Sequence, residues 1–305
     1  MGKRIEVVLI FLFLSFFSIG TIYPVLNILG VSLRTDNAFQ TRSLSLIQIE
    51  ENYTDLNNND RRDKDEPFSD NNKNSRWDSG SSLKSYLILF TETDFLLWAR
   101  NSILISLLVT LTGVTFASTS GYALSRYRFK GREFGMTALL TTQMFPATML
   151  LLPFFILLSY LGLINSYIGL IIIYSSTALP FCIWQMKGYY DTIPPSLEES
   201  ARLDGCTRFQ AFYKVILPLS SPALVITALF SFMASWSEYV VAAIILQDPK
   251  LYTLPLGLKS FQASLSTQWG LYAAGAVVVS IPVTILFISL SRYLVSGLTM
   301  GSVKG

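Results

Sequence analysis

From Phe134 to Met186 the chain runs for 53 residues without an Asp, Glu, Lys or Arg. A single helix of that length would reach roughly 80 Å at about 1.5 Å per residue, while the apolar core of a bilayer is about 30 Å thick. The stretch must therefore cross, turn and cross back, and Gly162–Ser166, GLINS, supplies the turn formers. Four more uncharged stretches, Val7–Leu33, Asn101–Ser125, Val215–Ser237 and Ser260–Ser291, each suffice for one crossing, which takes about 20 residues. The expected fold is all-α: a polytopic membrane protein with six transmembrane helices. At 51% hydrophobic and 14% charged, the composition is too apolar for a water-soluble chain of 305 residues.

The connections set the orientation, because short cytoplasmic loops carry an excess of Lys and Arg. SRYRFKGRE holds Arg126, Arg128, Lys130 and Arg132 against Glu133, the start holds Lys3 and Arg4, and the connection before the fifth span adds Lys187, Arg202, Arg208 and Lys214. Both termini are thus expected to be cytoplasmic. The chain divides into a first span over 1–33, an external polar insertion over 34–97, a five-span core over 98–296 and a cytoplasmic tail over 297–305. The first span is read as retained, since its apolar run exceeds the roughly 7–15 residues of a cleaved signal. The insertion, rich in Asn and charge, is expected to be largely disordered.

Absences narrow the chemistry. The chain has no His, the commonest general base and metal ligand. It has no G-x-x-x-x-G-K-[ST] phosphate loop of its own. Cys182 and Cys206 fall on the inner half, where thiols stay reduced, and offer neither disulfide nor metal site. No catalytic residue, metal, resident cofactor or nucleic-acid partner is expected, which leaves a channel, a carrier or an assembly subunit.

One charged segment interrupts this apolar chain: IPPSLEESARLDGCTRFQAFYKVILPL, 193–219. Pro194 and Pro195 precede Ser196, and Ser196 with Glu199 forms an S-x-x-E capping box that predicts a short helix from Leu197. Gly205, free to take positive φ, ends it. A second box, Thr207 with Gln210, starts the helix that runs into the fifth span. Leu197 and Ala201 share one side of the first helix, while Glu198, Arg202 and Asp204 point elsewhere. By physics alone the segment reads as an amphipathic linker on the membrane surface or as a docking helix.

Glu199-Ser200-Ala201, Gly205, Val215, Leu217 and Pro218 resemble the EAA motif, E-A-A-x3-G-x9-I-x-L-P, of bacterial import-type ABC transporter permeases. Ser replaces the middle Ala and Val replaces the Ile. GYALSRYRFKGR (121–132), QMFPA (143–147), MKGYYDTIPPSLEESARLDG (186–205), LQDPKLYTLPLG (246–257) and LVSGLTMGSVKG (294–305) extend the likeness to the sugar-importing permeases, nearest the smaller membrane subunit of maltose/maltodextrin transporters. The resemblance implies a permease subunit in a bacterial or archaeal inner membrane that couples ATP hydrolysis on a partner to oligosaccharide translocation. Its implied partners are a second permease subunit, a dimeric ATPase that binds ATP and Mg, an extracytoplasmic sugar-binding protein and the lipid bilayer.

The same resemblance makes Leu197, Glu198, Glu199, Ser200, Ala201, Asp204 and Gly205, in a coupling loop over 188–214, the ATPase contact. It gives Gly301, Ser302, Val303, Lys304 and Gly305 a second ATPase contact. The external loop Leu258–Gln268 becomes a finger that enters the binding protein, with Lys259, Ser260, Phe261, Gln262, Ser264, Ser266 and Gln268 suited to hydrogen-bonding or stacking on a sugar.

Glu238, near the outer part of the fifth span, reads as a cavity-lining carboxylate or as an acid at headgroup level. Trp98, Trp236 and Trp269 read as members of interfacial belts. A stand-alone secondary carrier is the rival function; it needs ion-coupling charges at midplane and an inverted repeat. Only Glu238 could serve as such a charge, and no convincing repeat is present. A membrane-embedded enzyme would need a His, a paired carboxylate or a metal cluster inside the membrane.

Overall fold

The computed structural model describes residues 2–34, 51–56, 66–70, 80–262 and 267–300. Among them the regular elements are all helical: α1 (Gly2–Ser32), α2 (Lys84–Thr91), α3 (Phe95–Arg126), α4 (Arg132–Thr142), α5 (Leu151–Tyr160), α6 (Tyr167–Thr192), α7 (Ser196–Leu203), α8 (Arg208–Ala211), α9 (Leu217–Leu219), α10 (Ser221–Trp236), α11 (Val240–Ile245), α12 (Leu254–Lys259) and α13 (Trp269–Met300).

A backbone in lipid must satisfy its hydrogen bonds within its own segment, so uninterrupted apolar runs become long helices. Four are long and apolar enough to cross a membrane: Glu6–Ser32 of α1, α3, α6 and Trp269–Ser291 of α13. A fifth span is assembled from pieces. α8 continues through a π turn, Phe212–Ile216, into α9, and Arg208–Leu219 meets α10 at a 78° bend. Pro222, in the first turn of α10, has no amide to donate across that joint.

The expected third span is not one helix. α4 stops at Thr142, Pro146 stands in extended backbone (φ −57°, ψ 130°), and a 3-10 turn over Ala147–Leu150 leads into α5. The residue before a proline is pushed out of helical geometry, so FPA breaks the run. The apolar piece that remains, Thr148–Tyr160, is shorter than a crossing. The return turn lies where the sequence puts it. Gly162 (φ 67°) and Asn165 (φ 56°) follow α5, and Ser166 starts α6 by accepting from the Gly169 amide at 3.1 Å.

The chain divides into two compact units, one holding Leu97–Gly257 and the other the described parts of Met1–Leu96 and Leu258–Ile281. In the first, α6 is the central helix. Toward the charged loop it packs Cys182, Met186 and Tyr190 with Phe212, Ile216 and Ala223; toward its other end Leu170, Ile173 and Tyr174 meet Ile105, Val109, Val241 and Ile245. Small residues let these helices approach closely, Gly121 against Met186 and the Lys187 backbone, Gly113 against Ser231. Thr112 and Ser175 hydroxyls bond at 2.8 Å across the α3–α6 seam.

Trp98 and Trp236, expected in interfacial belts, are instead core residues, 5% and 2% exposed. The Trp98 ring occupies the space that a side chain on Gly257 would take, and its indole donates to the Pro249 carbonyl at 3.0 Å. Trp236 stacks on Phe232.

In the other unit, the Ser82 amide donates to the Leu33 carbonyl at 2.8 Å and the Ser32 and Tyr86 hydroxyls lie 2.8 Å apart. The described parts of the insertion pair locally through their backbone. Tyr53 bridges Phe68, the Thr54 amide donates to Pro67 and the Ser69 amide to Asn52, each at 2.9 Å, and the Leu56 amide donates to the Glu66 carboxylate. Those local pairings satisfy backbone groups that the sparse apolar content could not bury.

Candidate functional site

Ile193 leaves α6 in extended backbone (ψ 123°), as the residue before Pro194 must. Pro195, at φ −59° and ψ −26°, is already helical, and its carbonyl accepts from the amides of Glu198 and Glu199. α7 therefore starts at Ser196, one residue earlier than expected, and the Ser196 side chain caps nothing. The proline pair sets the start that the S-x-x-E box was expected to set.

At the other end, the Cys206 amide donates to Ala201 at 3.0 Å and the Gly205 amide to Arg202 at 3.1 Å, with Gly205 at φ 90°. This is a Schellman turn, and only a residue without Cβ takes that φ freely. The second box forms as predicted: Thr207 Oγ1 accepts from the Gln210 amide at 3.2 Å and Gln210 Oε1 from the Thr207 amide at 2.9 Å. The segment is thus helix, glycine corner, helix.

Its faces divide the candidate residues. Ala201 is buried, while Leu197, Glu199, Ser200, Arg202, Leu203 and Asp204 are exposed. Leu203 is 88% and Phe209 74% exposed, flanking the corner. Neither stood out in the sequence, because one Leu and one Phe carry no signal in an apolar chain.

Glu198 turns the other way. Its side chain, 14% exposed, accepts from Tyr122 OH at 2.7 Å and from Arg126 Nε on the last turns of α3. The residue grouped with the docking face is an internal anchor in this geometry. A cleft of about 250 Å3 opens beside α7, lined by Tyr122, Arg126, Glu198, Glu199, Arg202 and Arg208.

Glu238 sits in the break between α10 and α11. Its carboxylate accepts from the Val241 amide at 3.0 and 3.1 Å, the Ala242 amide at 3.3 Å and Tyr174 OH at 2.8 Å. The negative charge meets the unsatisfied amides at the start of α11.

In the loop expected to be external, Phe261 is 8% exposed and does not present its ring for stacking. Its carbonyl accepts from the Gln268 amide at 2.9 Å, Gln262 bridges Thr267, and Lys259 Nζ donates to Gln262 Oε1. Lys259, Ser260 and Gln268 are exposed. Ser264, Ser266 and the tail residues Gly301, Ser302, Val303, Lys304 and Gly305 lie outside the described residues. Among the described residues no group of His, Cys, Asp and Glu is placed to hold a metal, and Cys182 and Cys206 are free thiols.

These features define a polytopic, all-helical membrane protein with a rigid helix-corner-helix connection. Residues 110–300 match the family described as binding-protein-dependent transport system inner membrane component, and the chain belongs to that family. It is therefore a membrane component of a transport system rather than a catalytic enzyme. It is 32% identical over 304 residues to the maltodextrin transport system permease protein MalD of Streptococcus pneumoniae (strain ATCC BAA-255 / R6), covering 99% of this chain and 97% of that protein. It is 38% identical over 229 residues to the maltodextrin transport system permease protein MdxG of Bacillus subtilis (strain 168), covering 74% and 82%. A chain in the crystal structure of a bacterial ABC transporter involved in the import of the acidic polysaccharide alginate shares the fold, with a TM-score of 0.75, 23% identity and coverage of 96% and 98%.

Proposed function

We propose that this chain is the membrane-spanning permease subunit of an ATP-binding-cassette importer for an oligosaccharide, with maltodextrin as cargo. The observation that carries the reading is α7: a short helix fixed at Pro195 and at the Gly205 corner, with Glu199, Ser200, Arg202, Leu203 and Asp204 open on its outer face. A separate ATPase dimer supplies ATP and Mg, and α7 docks on it. Closure of the dimer moves α7 as a lever, and the spans change access only as far as differential contact in the two states allows.

A second permease and an external sugar-binding protein complete the assembly. The broken α4–α5 pair counts as a crossing, which makes six spans with both termini cytoplasmic. Gly301–Gly305 forms a second ATPase contact, and the loop tip beyond Gln262 enters the binding protein. The names of the 32% and 38% identical relatives support maltodextrin as cargo. The embedding of Glu238 in amide and Tyr174 hydrogen bonds speaks against its use as an ion-coupling charge, and so against a secondary carrier.

Uptake of labelled maltodextrin into vesicles holding the whole complex tests the reading. It should require ATP and the binding protein. Uptake driven by an ion gradient without ATP would replace it with the carrier. Deleting Ser264–Ser266 should leave assembly intact while the binding protein keeps its sugar in the ATP-trapped complex; release at the intact rate would remove the finger.

A further inference from the structure

Arg126, the last residue of α3, joins three helices with one guanidinium. Nε donates to Glu198 in the first turn of α7, Nη2 to the Ile193 carbonyl at 2.9 Å just past α6, and Nη1 to Ser125 Oγ at 3.2 Å. Ser125 in turn donates to Asp191 at 2.6 Å, which pairs with Lys187 on α6. One turn back on α3, Tyr122 OH donates to the other Glu198 oxygen, and its ring packs against Tyr190 of α6 at 5.9 Å and Phe212 of the π turn at 4.5 Å. α6, α7 and the π turn thus converge on the final two turns of α3.

The covalent joints fix the two ends of α7, at Pro194–Pro195 and at the Gly205 corner, but neither ties α7 to α3. We infer that Arg126 is a positioning residue, the strut that makes the end of α3 carry the movement of α7 into the bundle. The pair is only 12% and 14% exposed, so removing one partner strands the other charge away from water. A lysine cannot replace the guanidinium, because three acceptors in different directions need its planar fork.

This inference rests on the reading that α7 docks on the ATPase, and the experiment separates the two. Arg126→Gln, Glu198→Gln, the double variant and Arg126→Lys are each assembled with the partners in vesicles. Sugar taken up per ATP hydrolysed is measured beside a disulfide cross-link from Leu203→Cys to the ATPase, in a Cys206→Ser background. Each single Gln variant should lower uptake per ATP by about fivefold or more with the cross-link retained, the size expected of one coupling interaction. The double variant should be no worse than either single one, and Arg126→Lys should restore only part. Full uptake per ATP in both single Gln variants overturns the strut. Loss of the cross-link in them also overturns it, since Glu198 would then serve docking itself. No cross-link in the otherwise native complex overturns the docking reading, and the strut with it.

Discussion

The Cys206 amide donates to the Ala201 carbonyl at 3.0 Å, closing α7 around a Gly205 held at φ 90°. Nothing lies within 4 Å of where a Gly205 side chain would start, so a substitution there acts through the backbone alone. Gly205→Ala should cost about 1–2 kcal/mol of left-handed strain, and Gly205→Pro more, because its φ is locked near −65°. Gly205→Asn, which tolerates this region better, should behave nearest to native. ATP-driven uptake by assembled complexes should fall in the order Asn, Ala, Pro; equal uptake by all three would show that the corner geometry does not matter.

The Trp98 ring fills the notch above Gly257. Gly257→Val should force the ring out of its place at a cost of about 1–3 kcal/mol, and Trp98→Ala should leave a cavity costing about 3–5 kcal/mol. Thermal unfolding of the purified chain in detergent reads both; an unchanged midpoint in either variant contradicts the packing described.

Glu238→Leu should leave the Val241 and Ala242 amides and the Tyr174 hydroxyl without their acceptor, at about 1–3 kcal/mol for a buried group left unsatisfied. Glu238→Gln, which keeps an acceptor oxygen and loses the charge, should be milder. Thermal midpoints in the order native, Gln, Leu support this anchoring role, and a Leu variant as stable as native rejects it.

Six spans with both termini inside predict that single cysteines at Ser81 and Ser302, in a background without Cys182 and Cys206, react with an impermeant thiol reagent from opposite faces of the membrane. Labelling from one face would show that the broken α4–α5 pair is not a crossing.

What could be read ahead of the structure was local. The turn at Gly162–Ser166 showed because turn formers interrupt an apolar run, and the Thr207–Gln210 box because its partners are three residues apart. Ser196 misled because the same spacing suits a cap, but Pro195 had already fixed a helical φ. The break at Pro146 was hidden by a charge count that ignores backbone geometry. Glu198 was grouped by motif with Glu199, and its turn toward Arg126, 72 positions earlier, is a tertiary fact with no local signal. Burial of Trp98 likewise depends on a notch at Gly257 that composition does not show.

If the outer face of α7 couples a partner's ATP hydrolysis to transport, the direct measurement is sugar taken up per ATP hydrolysed in reconstituted complexes carrying Glu199→Lys or Leu203→Asp. Both residues are exposed on α7, so the spans should remain inserted. Uptake per ATP should collapse, or the ATPase should separate from the membrane, while the permease stays in place. Full ATP-driven uptake by both variants would contradict coupling through α7.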